Sequence, residues 1–295
     1  MDRNQIAKQI VGQIVAQMET CGADWCRPWT ATAADGAHAN VTSRKAYRGL
    51  NVFLTGIAAH DAGYTSNLWG TYQQWADKKA QVRKGEKSTK IVFWKKMDGK
   101  PTTDTDGNET KTSGGMMCRL YSVFNAAQVD GFDAPVKDAP VKEALPLVER
   151  ADSFIAATGA TIRHGGSRAY YSPMHDFIGM PHLSAFADTV SYYGTALHEL
   201  THWTGHKSRC DRDFSGKFGT DAYAFEELVA ELGAAILCGT LGVSVSPRED
   251  HAKYLNNWMR VLENNPTSIF TAFSKSQASV DYLYGLQCNS AAIAA

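Results

Sequence analysis

The 295-residue sequence contains no apolar run approaching the roughly 20 residues that cross a bilayer as a helix, which argues against a membrane partner. Nor does it open like a secretory signal. Gln and Lys interrupt the apolar residues of "MDRNQIAKQIVGQIVAQMETCG", and Ile6, Ile10, Ile14 and Met18, four apart, predict a packed amphipathic helix instead. The six cysteines form no C-x-x-C pair and no regular framework; this suits a reducing cytoplasm, the expected location, and Cys238 reads as core. Net charge is absent too, with 30 Lys+Arg against 30 Asp+Glu. With 44% hydrophobic and 20% charged residues, the composition is that of a globular protein and argues against disorder or a fibre.

The balanced total conceals an asymmetry. Residues 1–130 hold 17 Lys+Arg and 12 Asp+Glu, residues 131–295 hold 13 and 18, and within 40–100 the counts are 12 and 4. The length allows two domains with their own cores. Between them lies "GFDAPVKDAPVKEALP" (131–146), whose Pro135, Pro140 and Pro146 disfavour helix and central strand and predict a semi-rigid linker. "TTDTDGNETKTSGG" (102–115) is a polar insertion between strand-like segments and is expected to be a mobile loop.

The stretch "TALHELTHWTGHKSR" (195–209) carries the densest chemistry. On a helix, residues four apart share a face, so His198 and His202 can take adjacent corners of a tetrahedral zinc. Glu199 is placed as a general base, completing the H-E-x-x-H arrangement of zinc hydrolases. The spacing of Val190, Tyr193, Leu197, Leu200 and Trp203 predicts a helix ending near Gly205. The bland alternative is a helix whose histidines are merely packed or exposed.

For a third ligand, one route continues to a His three residues past the Gly, but Ser208 stands there and the only nearby His is His206. The other route takes a carboxylate from a second helix. "DAYAFEELVAELGAAILCG" (221–239) has an apolar face of Phe225, Leu228, Val229, Leu232 and Ile236, with Glu226, Glu227 and Glu231 embedded among apolar neighbours. Buried carboxylates are costly without a metal or charged partner. Glu227 is assigned as ligand and Glu231 as the carboxylate orienting a ligand His through its other ring nitrogen. The reverse assignment stays open, and a solvated acidic stripe is the plain alternative.

The basic half interleaves cations with aromatics in "SRKAYRGLNVFL" (43–54), "NLWGTYQQWADKKAQVRKGEKSTKIVFWKK" (67–96) and "MMCRLYSVFN" (116–125). The middle segment predicts a helix from about Thr71 to Ala80, a turn at Gly85 and a strand "TKIVFWKK". Cations neutralise phosphates and flat rings stack on unpaired bases, as sequence-tolerant single-strand binders require. Candidate phosphate contacts are Arg44, Lys45, Arg48, Arg83, Lys84, Lys87, Lys95 and Lys96, and candidate stackers are Tyr47, Trp69, Tyr72 and Trp94. Trp75 and Phe93 are expected in the core. The same lysines could equally decorate a solvated face.

Together with the metal motif, these segments resemble the ArdC family of plasmid antirestriction proteins, and the N-terminal module is similar to that of conjugation primases. The likeness is carried by "YRGLNVFL", "TYQQWADKKAQVRKGEKSTKIVFWK", "YSVFNAAQ", "FIGMP", "YYGTALHELTHWTGHKSR" and "FEELVAELGAAIL", in family order. It implies a single-stranded-DNA-binding domain, a zincin-like metalloprotease domain, and protection of incoming plasmid DNA from host restriction during conjugation. It also gives a reading for residues 159–181 as a strand hairpin bordering the cleft, whose edge could pair with a peptide. Tyr170 or Tyr171 would then polarise a carbonyl, unless simply packed.

The expectation is therefore an α+β protein: a single-stranded-DNA-binding domain (1–130), a linker (131–146) and a zincin-like metallopeptidase domain (147–295). Zn2+, or another divalent ion such as Mn2+, would be held by His198, His202 and Glu227. The partners would be single-stranded DNA and a protein substrate such as a host restriction enzyme. The rival is a DNA-binding shield whose metal site is structural or vestigial, although a purely structural site needs no general base. A two-metal nuclease lacks its acidic cluster.

Overall fold

The computed structural model describes residues 2–22, 25, 37–98, 101–103, 109–111, 116–132, 147–217, 219–243 and 251–293. Helix α1 (Arg3–Cys21) starts at a capping box between Asp2 and Gln5, and its Ile6, Ile10, Ile14 and Met18 are all buried. After β1 (Ala39–Asn40), α2 (Leu50–Ala62), β2 (Leu68–Gly70), α3 (Tyr72–Asp77) and β3 (Gln81–Val82) comes the long strand β4 (Thr89–Lys96). Beyond it, β5 (Pro101–Thr103) pairs with β6 (Glu109–Lys111), so the 102–115 insertion contains a small antiparallel ribbon where a loop was expected. β7 (Met116–Asn125) returns antiparallel to β4 through eight matched pairs, Thr89–Val123 to Lys96–Met116. The sheet runs β1-β2-β7-β4, which leaves β4 at one edge. There the side chain of Asn51 accepts from Val92 N–H and donates to Val92 C=O, both at 2.8 Å, in place of a neighbouring strand.

β8 (Val129–Asp130) pairs with β3, and Phe132 packs edge-on against the buried Trp75 at 4.9 Å. The proline-rich stretch 133–146 lies outside the described residues. The second half begins with α4 (Leu147–Ala157), followed by β9 (Ile162–His164), β10 (Tyr170–Ser172) and β11 (Phe177–Met180). β10 and β11 form the expected hairpin, and β9 adds on the far side of β11 in parallel. Four helices follow: α5 (Thr189–Thr204), α6 (Asp221–Leu241), α7 (His251–Asn264) and α8 (Ser268–Ile293). Among the described residues, none is long and apolar enough to cross a membrane.

The largest buried cluster does not respect the division into halves. It joins Ile6, Ile10 and Ile14 of α1, Phe53 of α2 and Val92 of β4 to Leu228 of α6, Trp258 of α7 and Phe273 of α8. The apolar stripe of α1 is satisfied by the C-terminal helices, so the expectation of a separate core for each half fails at this cluster. Polar links reinforce the seam: Arg48 pairs with Asp281, and Gly49 N–H donates to Gln277 at 2.8 Å. A second cluster, around Leu197, Leu200, Leu237 and Leu283, belongs to the C-terminal half and backs the metal-motif helix.

Candidate metal centre and nucleic-acid face

Helix α5 is capped by Asp188, whose side chain accepts from Ser191 N–H at 2.6 Å, and it ends at Gly205 as its sequence suggests. From Thr195 to Thr204 every side chain is buried, so the motif lies within packed protein. Helix α6 is capped by Thr220 before Asp221 and by a left-handed Gly242 after Leu241. The two helices cross closely at Gly233, where a Cβ would fall 2.5 Å from Thr201 Cγ2. Only glycine permits this approach, and the approach lets side chains from both helices meet.

At the meeting point one ligand atom each of His198, His202 and Glu227 lies within 4.8 Å of the others, the only such cluster among the described residues. Glu227 Oε2 is 3.5 Å from His198 Nε2, and its Oε1 is 3.5 Å from His202 Nε2. Ligands about 2.0–2.1 Å from a tetrahedral zinc are themselves separated by roughly 3.4 Å, so the donor set fits a small divalent ion. Glu199, also buried, is not part of the cluster. His206 is hydrogen-bonded to Ser208 Oγ at 2.8 Å and is not one of the clustered ligands.

Each histidine has a carboxylate behind it. Glu231 Oε2 lies 3.4 Å from His198 Nδ1, and Glu226 Oε1 lies 3.1 Å from His202 Nδ1. Glu231 is near His198 Nδ1 but makes no hydrogen bond to it, whereas Glu226, which the sequence reading did not single out, is hydrogen-bonded to His202 Nδ1. Glu226 is held in turn by Arg212, a buried side chain that also donates to Thr204 Oγ1 at 2.8 Å, Ser279 Oγ at 2.7 Å and the Thr201 carbonyl at 2.7 Å. The only sequence signal for Arg212 was an arginine shortly after the motif.

Electrostatics follow from this packing. Burial lowers the His202 pKa, but hydrogen bonds to Glu226 and Glu227 outweigh it and raise the value to about 10. For Glu227, burial favours the neutral acid, yet the two imidazoles draw its pKa well below the usual carboxylate range. Tyr223, one turn before Glu227, has its phenol pKa raised by burial and by its contact with Tyr254, whose hydroxyl is 3.2 Å away. Tyr171, a candidate for polarising a carbonyl, instead donates to Asp176 at 2.9 Å and accepts from Arg209 at 3.2 Å, so its hydroxyl is committed to bracing. Tyr170 stands half-exposed on the edge strand β10.

The nucleic-acid candidates separate into four groups. Trp69 is fully buried beneath Tyr64 and offers no stacking surface, which corrects the sequence reading. Trp94 is half-buried with Phe270 edge-on at 5.1 Å and the Arg3 guanidinium 5.5 Å from its ring, and Tyr47 buries its hydroxyl; neither is a free platform. Arg48 and Arg83 are spent on Asp281 and Glu86 respectively. Arg44, Lys45, Tyr72, Lys84, Lys87, Lys95 and Lys96 are solvent-facing or partly so. Trp75 is core as expected, but Phe93 is not: it is 53% exposed.

Residues 4–124 match the model of the N-terminal domain of anti-restriction factor ArdC, and residues 149–275 match a zincin-like metallopeptidase model. The metal-free crystal structure of the antirestriction ArdC protein from plasmid R388 superposes with a TM-score of 0.78 at 36% identity, covering 96% of this chain and 98% of that one. The chain belongs to the ArdC antirestriction family. A Mn(II)-bound structure of the same R388 ArdC aligns with a TM-score of 0.75 at 35% identity, covering 95% and 97% of the two chains. An uncharacterised protein of Sinorhizobium fredii is 43% identical over 96% of this chain and 92% of its own length. DNA primase TraC of Escherichia coli is 37% identical over 95% of this chain, which corresponds to 27% of the primase. The ArdC fold here is a mixed α+β architecture with an N-terminal ArdC domain and a zincin-like C-terminal domain.

Proposed function

We propose that this ArdC-family protein binds single-stranded DNA and protects plasmid DNA entering a restricting host cell, and that its second domain cleaves a protein substrate by metal-assisted hydrolysis. The observation that carries the hydrolytic part is the convergence of His198, His202 and Glu227, with the buried Glu199 following His198 on the same helix. His198, His202 and Glu227 would hold the ion; zinc suits the two imidazoles and one carboxylate, and Mn(II), which the R388 relative binds, is the alternative. When bound, the ion supplies Lewis-acid polarisation of a peptide carbonyl. Glu199 takes a proton from the attacking water and returns it to the leaving amine. Glu226, hydrogen-bonded to His202 Nδ1, keeps that imidazole in the tautomer that presents Nε2, and Glu231, 3.4 Å from His198 Nδ1, is near enough to do the same for His198. The edge strand β10, packed beside α5, offers backbone groups to an extended peptide.

The deciding experiment replaces Glu199 by Gln. The variant is expected to keep fold, metal content and DNA binding while losing hydrolysis of the protein substrate. A fully active Glu199→Gln protease would remove the general-base assignment. Restriction assays after plasmid transfer then separate two mechanisms: protection lost with hydrolysis ties antirestriction to proteolysis, and protection retained assigns it to DNA coating.

A further inference from the structure

β4 and β7 carry no acidic residue, and they hold Lys90, Lys95, Lys96 and Arg119. Strand alternation divides their side chains between two faces. Val92 and Trp94, with Leu120 and Cys118 opposite them, belong to the core shared with α1 and α8. The other face carries Ile91, Phe93 and Lys95 on β4 and Met117, Arg119, Tyr121 and Val123 on β7. At Ile91 and Val123 this face is covered by Ala58, Ala59 and Tyr64. Past that point it is open: Phe93 is 53% and Tyr121 41% exposed, with ring centroids 5.7 Å apart and planes at 80°. Arg119 stands directly opposite Phe93 and two residues from Tyr121, and Lys95 lies two residues from Phe93. Among the described residues neither cation has a carboxylate partner, unlike Arg48 and Arg83.

We propose that this open half-face of the β4–β7 hairpin is the surface on which unpaired bases stack, with Phe93 and Tyr121 as the platform and Arg119 and Lys95 as the phosphate contacts. The inference rests on the single-strand-binding reading above and locates it. Two exposed rings on a strand face without acidic residues match what a nucleic-acid strand presents: flat apolar bases joined by anionic phosphates. A duplex keeps its bases stacked on one another and gains nothing from the rings.

The test uses the full-length protein and a fluorescein-labelled oligo-dT, with binding read by anisotropy. Phe93→Leu and Tyr121→Leu retain apolar bulk but lack the ring, and each should weaken binding by about 5- to 150-fold without changing the melting temperature or the slope of log K against log salt. Arg119→Gln and Lys95→Gln should each make that slope shallower by about 0.7. Trp94→Phe should leave affinity unchanged, and binding to duplex should not respond to the ring variants. If the wild type binds and the Phe93→Leu/Tyr121→Leu double variant binds equally well, the platform is wrong while single-strand binding stands. If the wild type itself fails to bind, both readings fall.

Discussion

Arg212 and Glu226 form a fork-to-fork ion pair in the protein interior, with Arg212 Nε 3.0 Å from Oε2 and Nη2 2.9 Å from Oε1 of the same carboxylate. Because Glu226 Oε1 also meets His202 Nδ1, the arginine sits two contacts from the candidate metal position. Arg212→Met strands a buried carboxylate and should destabilise the protein by about 3–5 kcal/mol. Glu226→Gln keeps the shape but weakens the hold on the imidazole, and zinc affinity should fall about 10–100-fold. Calorimetric titration with zinc, beside melting of the ion-free protein, separates the two effects. Unchanged affinity in Glu226→Gln would make the pair purely structural.

The two glutamates facing His198 should differ in kind. Glu227→Ala should weaken zinc binding as severely as His198→Ala or His202→Ala, whereas Glu231→Ala should cost about 10–100-fold. Competition against a chromophoric chelator measures all four, and a reversed ranking would move the ligand to Glu231.

Ion binding should be strongly pH-dependent. A ligand imidazole must be neutral, and in the ion-free protein His202 holds its proton up to about pH 10. Zinc must displace that proton, so apparent affinity should rise about tenfold per pH unit through neutral pH, with about one proton released to buffer. Stability runs the other way in the ion-free protein. A folded-state pKa raised above the unfolded value contributes stability that is complete below about pH 6.5 and is lost as pH rises through 10. Glu227, with its pKa lowered, contributes above its ordinary range and loses that contribution on acidification. Melting of chelator-treated protein should therefore decline from pH 6.5 to 10, and zinc-loaded protein should not share the decline.

Gly233→Ala tests the helix crossing. The added methyl meets the buried Thr201, whose hydroxyl is fixed on the Leu197 carbonyl at 2.8 Å, so α5 and α6 must part. Destabilisation of about 1–3 kcal/mol is expected, together with weaker zinc binding, because the ligands come from both helices. Wild-type affinity in a destabilised Gly233→Ala would mean that the site tolerates the shift.

What the sequence determined by itself was whatever depends on local period. His198 and His202 share a helical face because they are four apart, Ile6 to Met18 make a stripe for the same reason, and "TKIVFWKK" has the length and residue types of a strand. Tertiary packing decided the rest. Glu226, Glu227 and Glu231 are close in sequence and chemically alike, and only the angle at which α6 crosses α5 at Gly233 assigns Glu227 to the cluster and the other two to opposite imidazoles. Arg212 enters from a loop, where no periodicity marks it. Phe93 and Trp94 are neighbours on one strand, so alternation puts them on opposite faces without saying which face is covered. That was decided by α1 and α8, which partly cover Trp94 and leave Phe93 more than half exposed. The physical reason is common to all three: local geometry sets the direction of a side chain, and the partner it meets is supplied by chain distant in sequence.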